Sequence, residues 1–246
     1  MKNLNQLLVA VIFLTLYVGC KKTTQTNMTP ASLNIVNAIN GSNPLVTNFS
    51  PLGPKDVQSP FVTYYADANQ IGYASSWESG SYAGRTYLSL AQTSDTFTTV
   101  WSGNLDLPSG TIHTFFLSGD TTRIDTLFST DLLPYYPSGD SVAGVRFVNL
   151  AENSLPMSIN IQGNLPTQTE FSGMGYKHIS AFKAYAANST VPGFYNFEVR
   201  DQNTDSLLQT YTWNYTLSRN QTIVICGSEG AAAGIYPIIA FSMNNY

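Results

Sequence analysis

Two apolar patterns divide the chain. Leu7 to Val18 is an unbroken apolar run of about a dozen residues, too short to cross a hydrocarbon layer of ~30 Å. From Ala31 onward, apolar and polar residues alternate instead, with the two-residue period of strands that bury one face. "MSINIQ" sets Met157, Ile159 and Ile161 against Ser158, Asn160 and Gln162, and "FYNFEVR" sets Tyr195, Phe197 and Val199 against Asn196, Glu198 and Arg200. Helical periodicity is nearly absent. Gly, Pro and Asn/Asp clusters interrupt the strands every ten residues or so, which is the punctuation of a β-sandwich.

The strand pattern repeats. "ASLNIVNAINGSNPLVTNF" from Ala31 aligns without a gap on "AGVRFVNLAENSLPMSINI" from Ala143, matching Val36 with Val148, Asn37 with Asn149, Pro44 with Pro156 and Asn48 with Asn160. The apolar phase is kept, because Leu33 and Ile35 fall opposite Val145 and Phe147. Farther on, Tyr87 pairs with Tyr195 and Gly119 with Gly227 at one constant offset. The repeat predicts two homologous modules, residues 31–133 and 143–246, each long enough to own a core. Between them "DLLPYYPSGDSVAG" (Asp131–Gly144) has two prolines and two glycines and suits a short linker, 134–142.

"VRFVNLAENSLPMSINI", "TVPGFYNFEV", "LPSGTIHTFFLSGD" and "DLLPYYPSGDSVAGVRFVN" together resemble the bacterial domain-of-unknown-function family 4397, as two tandem copies that cover nearly all of the chain beyond its leader. The resemblance implies immunoglobulin-like modules on secreted or lipid-anchored proteins of Gram-negative bacteria, with no catalytic residues to carry over. The first copy departs from the pattern at "YAGRTYLSL", where an extra residue separates Gly84 from Tyr87. The expected fold is therefore all-β: two tandem immunoglobulin-like antiparallel β-sandwich modules after a lipoprotein signal peptide.

The leader supplies that last element. Lys2 precedes the apolar run, which reads as the core of a signal peptide, and Leu16-Tyr17-Val18-Gly19-Cys20 resembles a bacterial lipobox. Tyr17 stands where that pattern usually has leucine, with Leu16 one step farther back. The resemblance implies removal of residues 1–19 and acylation of Cys20, with 20–30 as a polar tether. Two or more acyl chains anchor a protein stably, and a fully extended tether reaches at most ~35 Å. The expected location is the outer membrane. Lys21 and Lys22, rather than acidic residues, follow the cysteine, which favours the periplasmic face.

Composition narrows the partners. Charged residues are 11 % of the chain, against ~25 % in ordinary soluble domains. A net charge of −4 gives no electrostatic reason to expect nucleic acid. With Cys20 acylated, Cys226 has no partner for a disulfide, and its apolar run "QTIVICG" predicts a buried, inert thiol.

Candidate chemistry is sparse. "GDSV" (Gly139–Val142) resembles the nucleophile block of a lipase/esterase family, yet neither His113 nor His178 sits in the Asp-x-x-His block which that family needs. Two scattered histidines and one cysteine make no zinc set. Asp201, Asn203 and Asp205 begin like a calcium loop, but Ser206 stands where glycine is needed and Thr212 where a bidentate glutamate is needed, so a hairpin turn is expected there. No catalytic residue, metal or cofactor is predicted. Tyr211, Trp213 and Tyr215 alternate on one face and are expected in the core. The candidate ligand-binding residues are Tyr64, Tyr65, Tyr73, Trp77 and Tyr82, set among Gly, Ser and Asn in what reads as a long loop. The reading that results is a non-enzymatic, membrane-anchored envelope lipoprotein that binds or presents a glycan or envelope protein. The alternative is a structural spacer or assembly subunit that makes only protein contacts.

Overall fold

The computed structural model describes residues 29–49, 70–81, 83–137, 139–165, 167–230 and 235–245. The leader, Cys20 and most of the tether lie outside them. Among the described residues there are fifteen strands and no helix. The first half supplies β1 (Ala31–Asn37), β2 (Leu45–Asn48), β3 (Ser75–Ser81), β4 (Gly84–Gln92), β5 (Asp95–Leu107), β6 (Ile112–Gly119) and β7 (Ile124–Thr130). The second supplies β8 (Val142–Asn149), β9 (Met157–Ile161), β10 (Thr169–Met174), β11 (Lys183–Ala186), β12 (Tyr195–Asp201), β13 (Leu207–Trp213), β14 (Asn220–Cys226) and β15 (Ile239–Asn244).

These strands form two sandwiches. In the first, the sheet β3-β1-β6-β7 faces β2-β4-β5 across a core that includes Leu33, Ile35, Leu88, Leu90, Leu107 and Phe115. In the second, β11-β8-β14-β15 faces β10-β9-β12-β13 across Val145, Phe147, Ile159, Phe197, Val199 and Trp213. Each such side chain taken from water contributes about 1.5–3 kcal/mol. Most ladders are antiparallel, but β1 with β6 and β8 with β14 run parallel.

The matched asparagines have a backbone job. Asn37 Nδ2 donates to Ser42 Oγ and Ile71 O, both at 3.0 Å, and its Oδ1 accepts from Ile39 N at 3.2 Å. Asn149 repeats the set with Ser154 Oγ, Met174 O and Ala151 N, each at 2.9 Å. In both copies the side chain satisfies buried groups where the chain leaves the strand. The glycine pair is equally constrained. Gly119 (φ +82) and Gly227 (φ +110) take a left-handed turn, and a Cβ on either would sit 2.3 Å from a backbone carbonyl oxygen, so only glycine fits.

One sequence pairing needs correcting. Gln92 pairs with Leu45 and Asp201 with Met157, so the ladders make Leu88 and Leu90 the equivalents of Phe197 and Val199. Tyr87 then answers to Asn196, and Tyr195 answers to Thr86. The extra residue after Gly84 is the cause, since a one-residue slip moves a side chain to the opposite face.

β1, β6, β8 and β14 are buried on both faces. One face of each enters its own core. The others meet in a third cluster, where Val36, Ala38 and Phe116 pack on Val148, Leu150, Val224, Cys226 and Met243. This seam holds the sandwiches side by side with the four strands pointing the same way. Where the strands start, Arg146 Nη2 meets Asp131 Oδ1 at 2.7 Å, with side chains 5 % and 0 % exposed. Where they finish, Asn40 Nδ2 donates to Gly227 O at 3.2 Å. The segment joining the sandwiches is irregular over residues 131–137, yet Asn220 Nδ2 fastens it through Pro134 O at 2.8 Å, and Tyr136 lies over Gly144.

Candidate functional site

Tyr64, Tyr65 and Tyr82 lie outside the described residues, as does Cys20. Trp77, read from sequence as a loop residue, stands on β3 opposite Ile35 and packs against the first core. Loop composition misleads there because the strand consists mostly of Ser, Gly and Glu. Tyr73 precedes that strand and lies half-buried on the seam. Its hydroxyl donates to Asn40 Oδ1 at 3.2 Å and accepts from the Cys226 thiol at 3.8 Å. Burial raises the Tyr73 hydroxyl well above the ordinary phenol range and pushes the Cys226 thiol up to about 12. The thiol is therefore neutral at physiological pH and a poor nucleophile.

The other sequence candidates fall as follows. Trp213 is fully buried and donates to Gln221 Oε1 at 2.6 Å, and Tyr211 and Tyr215 pack on the same core. Ser141 precedes β8 while His178 O accepts from Asn149 N at the far end of that strand, roughly 25 Å away for eight extended residues. His113 is buried, with its ring nitrogens on Thr111 Oγ1 and Thr130 Oγ1 and its ring stacked on Phe128. Asp201 Oδ1 accepts from Asn203 N and Thr204 N, both at 2.8 Å, which closes an Asx turn. Among the described residues, no three His, Cys, Asp or Glu side chains are placed to hold a metal ion.

What the sequence reading missed is the partner of Tyr73. Ala74 N bonds Asn37 O at 2.9 Å and Lys177 N bonds Asn149 O at 2.7 Å, and both residues have positive φ, 55° and 64°. Ile71-Gly72-Tyr73-Ala74 is thus repeated as Met174-Gly175-Tyr176-Lys177. The shared Gly-Tyr pair was the available signal, obscured because 27 residues separate Pro44 from Gly72 and only 18 separate Pro156 from Gly175, so no single offset aligns both copies. Tyr176 crosses the seam in the reverse sense, with its hydroxyl 2.9 Å from Ser118 Oγ. Ser118 is the equivalent of Cys226, since one stands opposite Asp125 and the other opposite Ile239.

Beside Tyr176 a cleft of about 200 Å³ opens, lined by Gly119, Arg123, Asp125, Glu152, Asn153 and Tyr176. Turns from both sandwiches build it. Asp120 Oδ1 accepts from Thr122 N at 2.7 Å and Arg123 N at 2.9 Å, which fixes the turn carrying Arg123. Glu152 is held through its backbone, its N–H on Gly227 O and its carbonyl under Glu229 N. Lys177 Nζ donates to Asp125 Oδ1 at 2.6 Å, and that bond holds the Asp125 carboxyl below its usual range. Burial pushes the Tyr176 hydroxyl up to about 12. The wall thus presents a guanidinium, two carboxylates, an amide and a phenol ring on turns held by backbone hydrogen bonds. At the equivalent place by Tyr73 the space is filled, because Tyr236 lies so close to Gly41 that a Cβ there would be 2.5 Å from Tyr236 Oη.

In comparisons with known proteins, no family model matches the chain and no curated protein matches it.

Proposed function

We propose that this chain is a non-enzymatic lipoprotein of the bacterial envelope, built from two modules of the family-4397 type. In this reading it is held at the outer membrane through acylated Cys20, periplasmic face favoured, and binds a glycan in the cleft beside Tyr176. The observation that carries the reading is the cleft's construction from turns of two sandwiches already locked together, so that the backbone carrying its polar groups is fixed before a ligand arrives. Paired donors and acceptors on planar groups suit vicinal hydroxyls, and the Tyr176 ring offers an apolar face to a sugar's C–H side. The cleft opens where the seam strands finish, opposite the end that receives the tether, so an anchored molecule presents it away from the lipid.

Glycan-array binding of the full chain tests this. Glu152→Ala is expected to lower affinity about tenfold, the worth of one charge-assisted hydrogen bond, while Trp77→Ala changes stability and leaves affinity intact. Binding that survives Glu152→Ala and Arg123→Ala together removes the cleft from the account. The seam favours a second reading, a stiff spacer or assembly subunit, since two fused sandwiches keep a fixed span. Stoichiometric partners in detergent extracts would support it over ligand binding.

A further inference from the structure

The end of the body that receives the tether carries the two most exposed large apolar side chains among the described residues, Leu132 and Tyr135. Ser109 Oγ donates to Thr29 O at 2.6 Å, and Gly110 N donates to Pro30 O at 3.2 Å. The chain therefore enters beside the β5–β6 turn, where the seam strands start. Asp131 N bonds Ile112 O at that same end, and from there Leu132 and Tyr135 project 85 % and 87 % exposed. Leu217 and Phe194 lie at the same end, 46 % and 43 % exposed. Leu217 precedes the Ser218 N to Val142 O bond at the start of β8, and Phe194 precedes Tyr195, the partner of Trp213. Leu165 adds a fifth from the turn after β9, 65 % exposed.

We infer that this end lies against the lipid surface, with Leu132 and Tyr135 entering the headgroup layer as a second, non-covalent contact. The inference rests on the acylated-Cys20 reading. Thr29 lies nine residues beyond Cys20, so the anchor keeps this end within ~32 Å of the bilayer even when the tether is fully extended. Tyrosine is a residue that interfaces favour, with its ring among acyl chains and its hydroxyl among headgroups. The opposite end also exposes apolar groups, Ile235 at 72 %, Phe97 at 59 %, Leu207 at 52 % and Leu155 at 50 %, but that end carries Asp95, Asp120, Glu152 and Glu229 against Arg123, and carboxylates are repelled by anionic lipid. At the tether end, exposed Asp106 stands opposite Arg85 in the β4–β5 ladder, and exposed Asp140, just before β8, is matched by exposed Arg219, whose carbonyl bonds Gly144 N, so that face carries no such excess. A lipid contact here would fix the tilt of the body and point the Tyr176 cleft away from the membrane.

The test uses the full lipoprotein, purified and reconstituted into vesicles of phosphatidylethanolamine and phosphatidylglycerol. Leu132→Cys, Tyr135→Cys and Ile235→Cys variants each receive an environment-sensitive fluorophore, and Cys226 stays unlabelled in its buried site. Labels at 132 and 135 are expected to shift to the blue and to be quenched by lipid-borne nitroxide about threefold more than the label at 235, as interfacial burial requires. Equal quenching at all three positions in acylated protein overturns this inference and leaves the anchor reading standing. Mass spectrometry of the same preparation separates the cases, because an unacylated Cys20 overturns the anchor reading and the lipid contact with it.

Discussion

Tyr73 and Tyr176 hold the same place in their sandwiches, and each reaches across the seam to the end of the other sandwich's inner strand. Around Tyr73 the neighbours are neutral or apolar: Cys226, Ile239 and Ala74, with Tyr236 closing the space. Around Tyr176 the equivalent positions are Ser118, Asp125 and Lys177, with Arg123 on the turn and the space left open. One end of a near two-fold contact has become core and the other a charged cleft. Backbone devices that set the strands and turns are kept in both copies, namely the asparagine clamp, the left-handed glycine and the Gly-Tyr turn. Side chains with no such duty have diverged, and the binding proposal rests on that divergence.

The comparison breaks most sharply where the seam strands start. Thr114 Oγ1 donates to Asp131 Oδ2 and Thr222 Oγ1 to Asn245 Oδ1, both at 2.5 Å, and these are equivalent bonds in the two sandwiches. Only one side is charged, because Arg146 binds Asp131 and also donates to Thr222 Oγ1 at 2.8 Å. Its counterpart Asn34 leaves Nδ2 buried with no hydrogen-bond partner among the described residues. Asp131→Ala strands a buried guanidinium and is expected to cost about 3–5 kcal/mol. Asn245→Ala removes a neutral acceptor and should cost about 1–2 kcal/mol. Urea unfolding midpoints read both, and equal losses would mean that the ion pair adds nothing to the fold.

Next come the two clamps. Asn37→Ala and Asn149→Ala each remove three hydrogen bonds, two to backbone groups and one to a serine hydroxyl, for about 2–3 kcal/mol apiece. Equality is the sharper expectation, since the partners are the same in kind. Thermal denaturation of the two variants, with a shift in one twice that in the other, would show that the copies no longer share this constraint.

The asparagines and glycines were legible in the sequence because a residue that serves the backbone repeats at a fixed spacing. The sandwich class was legible for a similar reason, in the alternation of "FYNFEVR" against the turns. The seam was not, although its signal is present: "IVNAI", "TFFLS", "VRFVNLA" and "IVICG" carry apolar side chains at both parities, as strands buried on two faces do. One sequence cannot say what covers the second face, and a partner chain would have left the same pattern. The cleft was less visible still. Arg123, Glu152 and Tyr176 come from three separate turns and look like ordinary surface residues until the seam brings those turns together. The aromatic stretch misled in the opposite direction, because Tyr73 and Trp77 have loop-like neighbours in sequence and packed neighbours in space.

Smaller effects sharpen the contrast at the strand ends. Tyr176→Phe and Tyr73→Phe each remove a hydroxyl that reaches across the seam, for about 1 kcal/mol or less. Tyr73→Phe also loses the bond to Asn40 Oδ1 at 3.2 Å within its own sandwich, yet Tyr176→Phe is expected to cost more, since across the seam Tyr176 meets a hydroxyl at 2.9 Å and the Asp125 carboxylate, and Tyr73 only a thiol at 3.8 Å. A reversed order in differential scanning calorimetry would deny the serine contact its role.

The smallest effect has the clearest pH signature. Lys177 and Asp125 are about a third exposed, 31 % and 36 %, so water screens the pair and its worth is at most about 1 kcal/mol. Asp125 has its carboxyl lowered by the Lys177 bond. The stability from that shift is therefore present above the unfolded carboxylate value near 4 and is lost as pH falls through the lower folded value. Lys177→Met removes the largest cause of the shift, so wild type and variant should differ at pH 7 and converge as pH falls through the lowered folded value. At the Tyr73 end Ile239 and Ala74 hold the same positions without charge, and Ile239→Ala should lower stability by an amount that does not change across that window. A pH-independent gap for Lys177→Met would mean that its alkyl stem, and not its charge, holds that end of the seam.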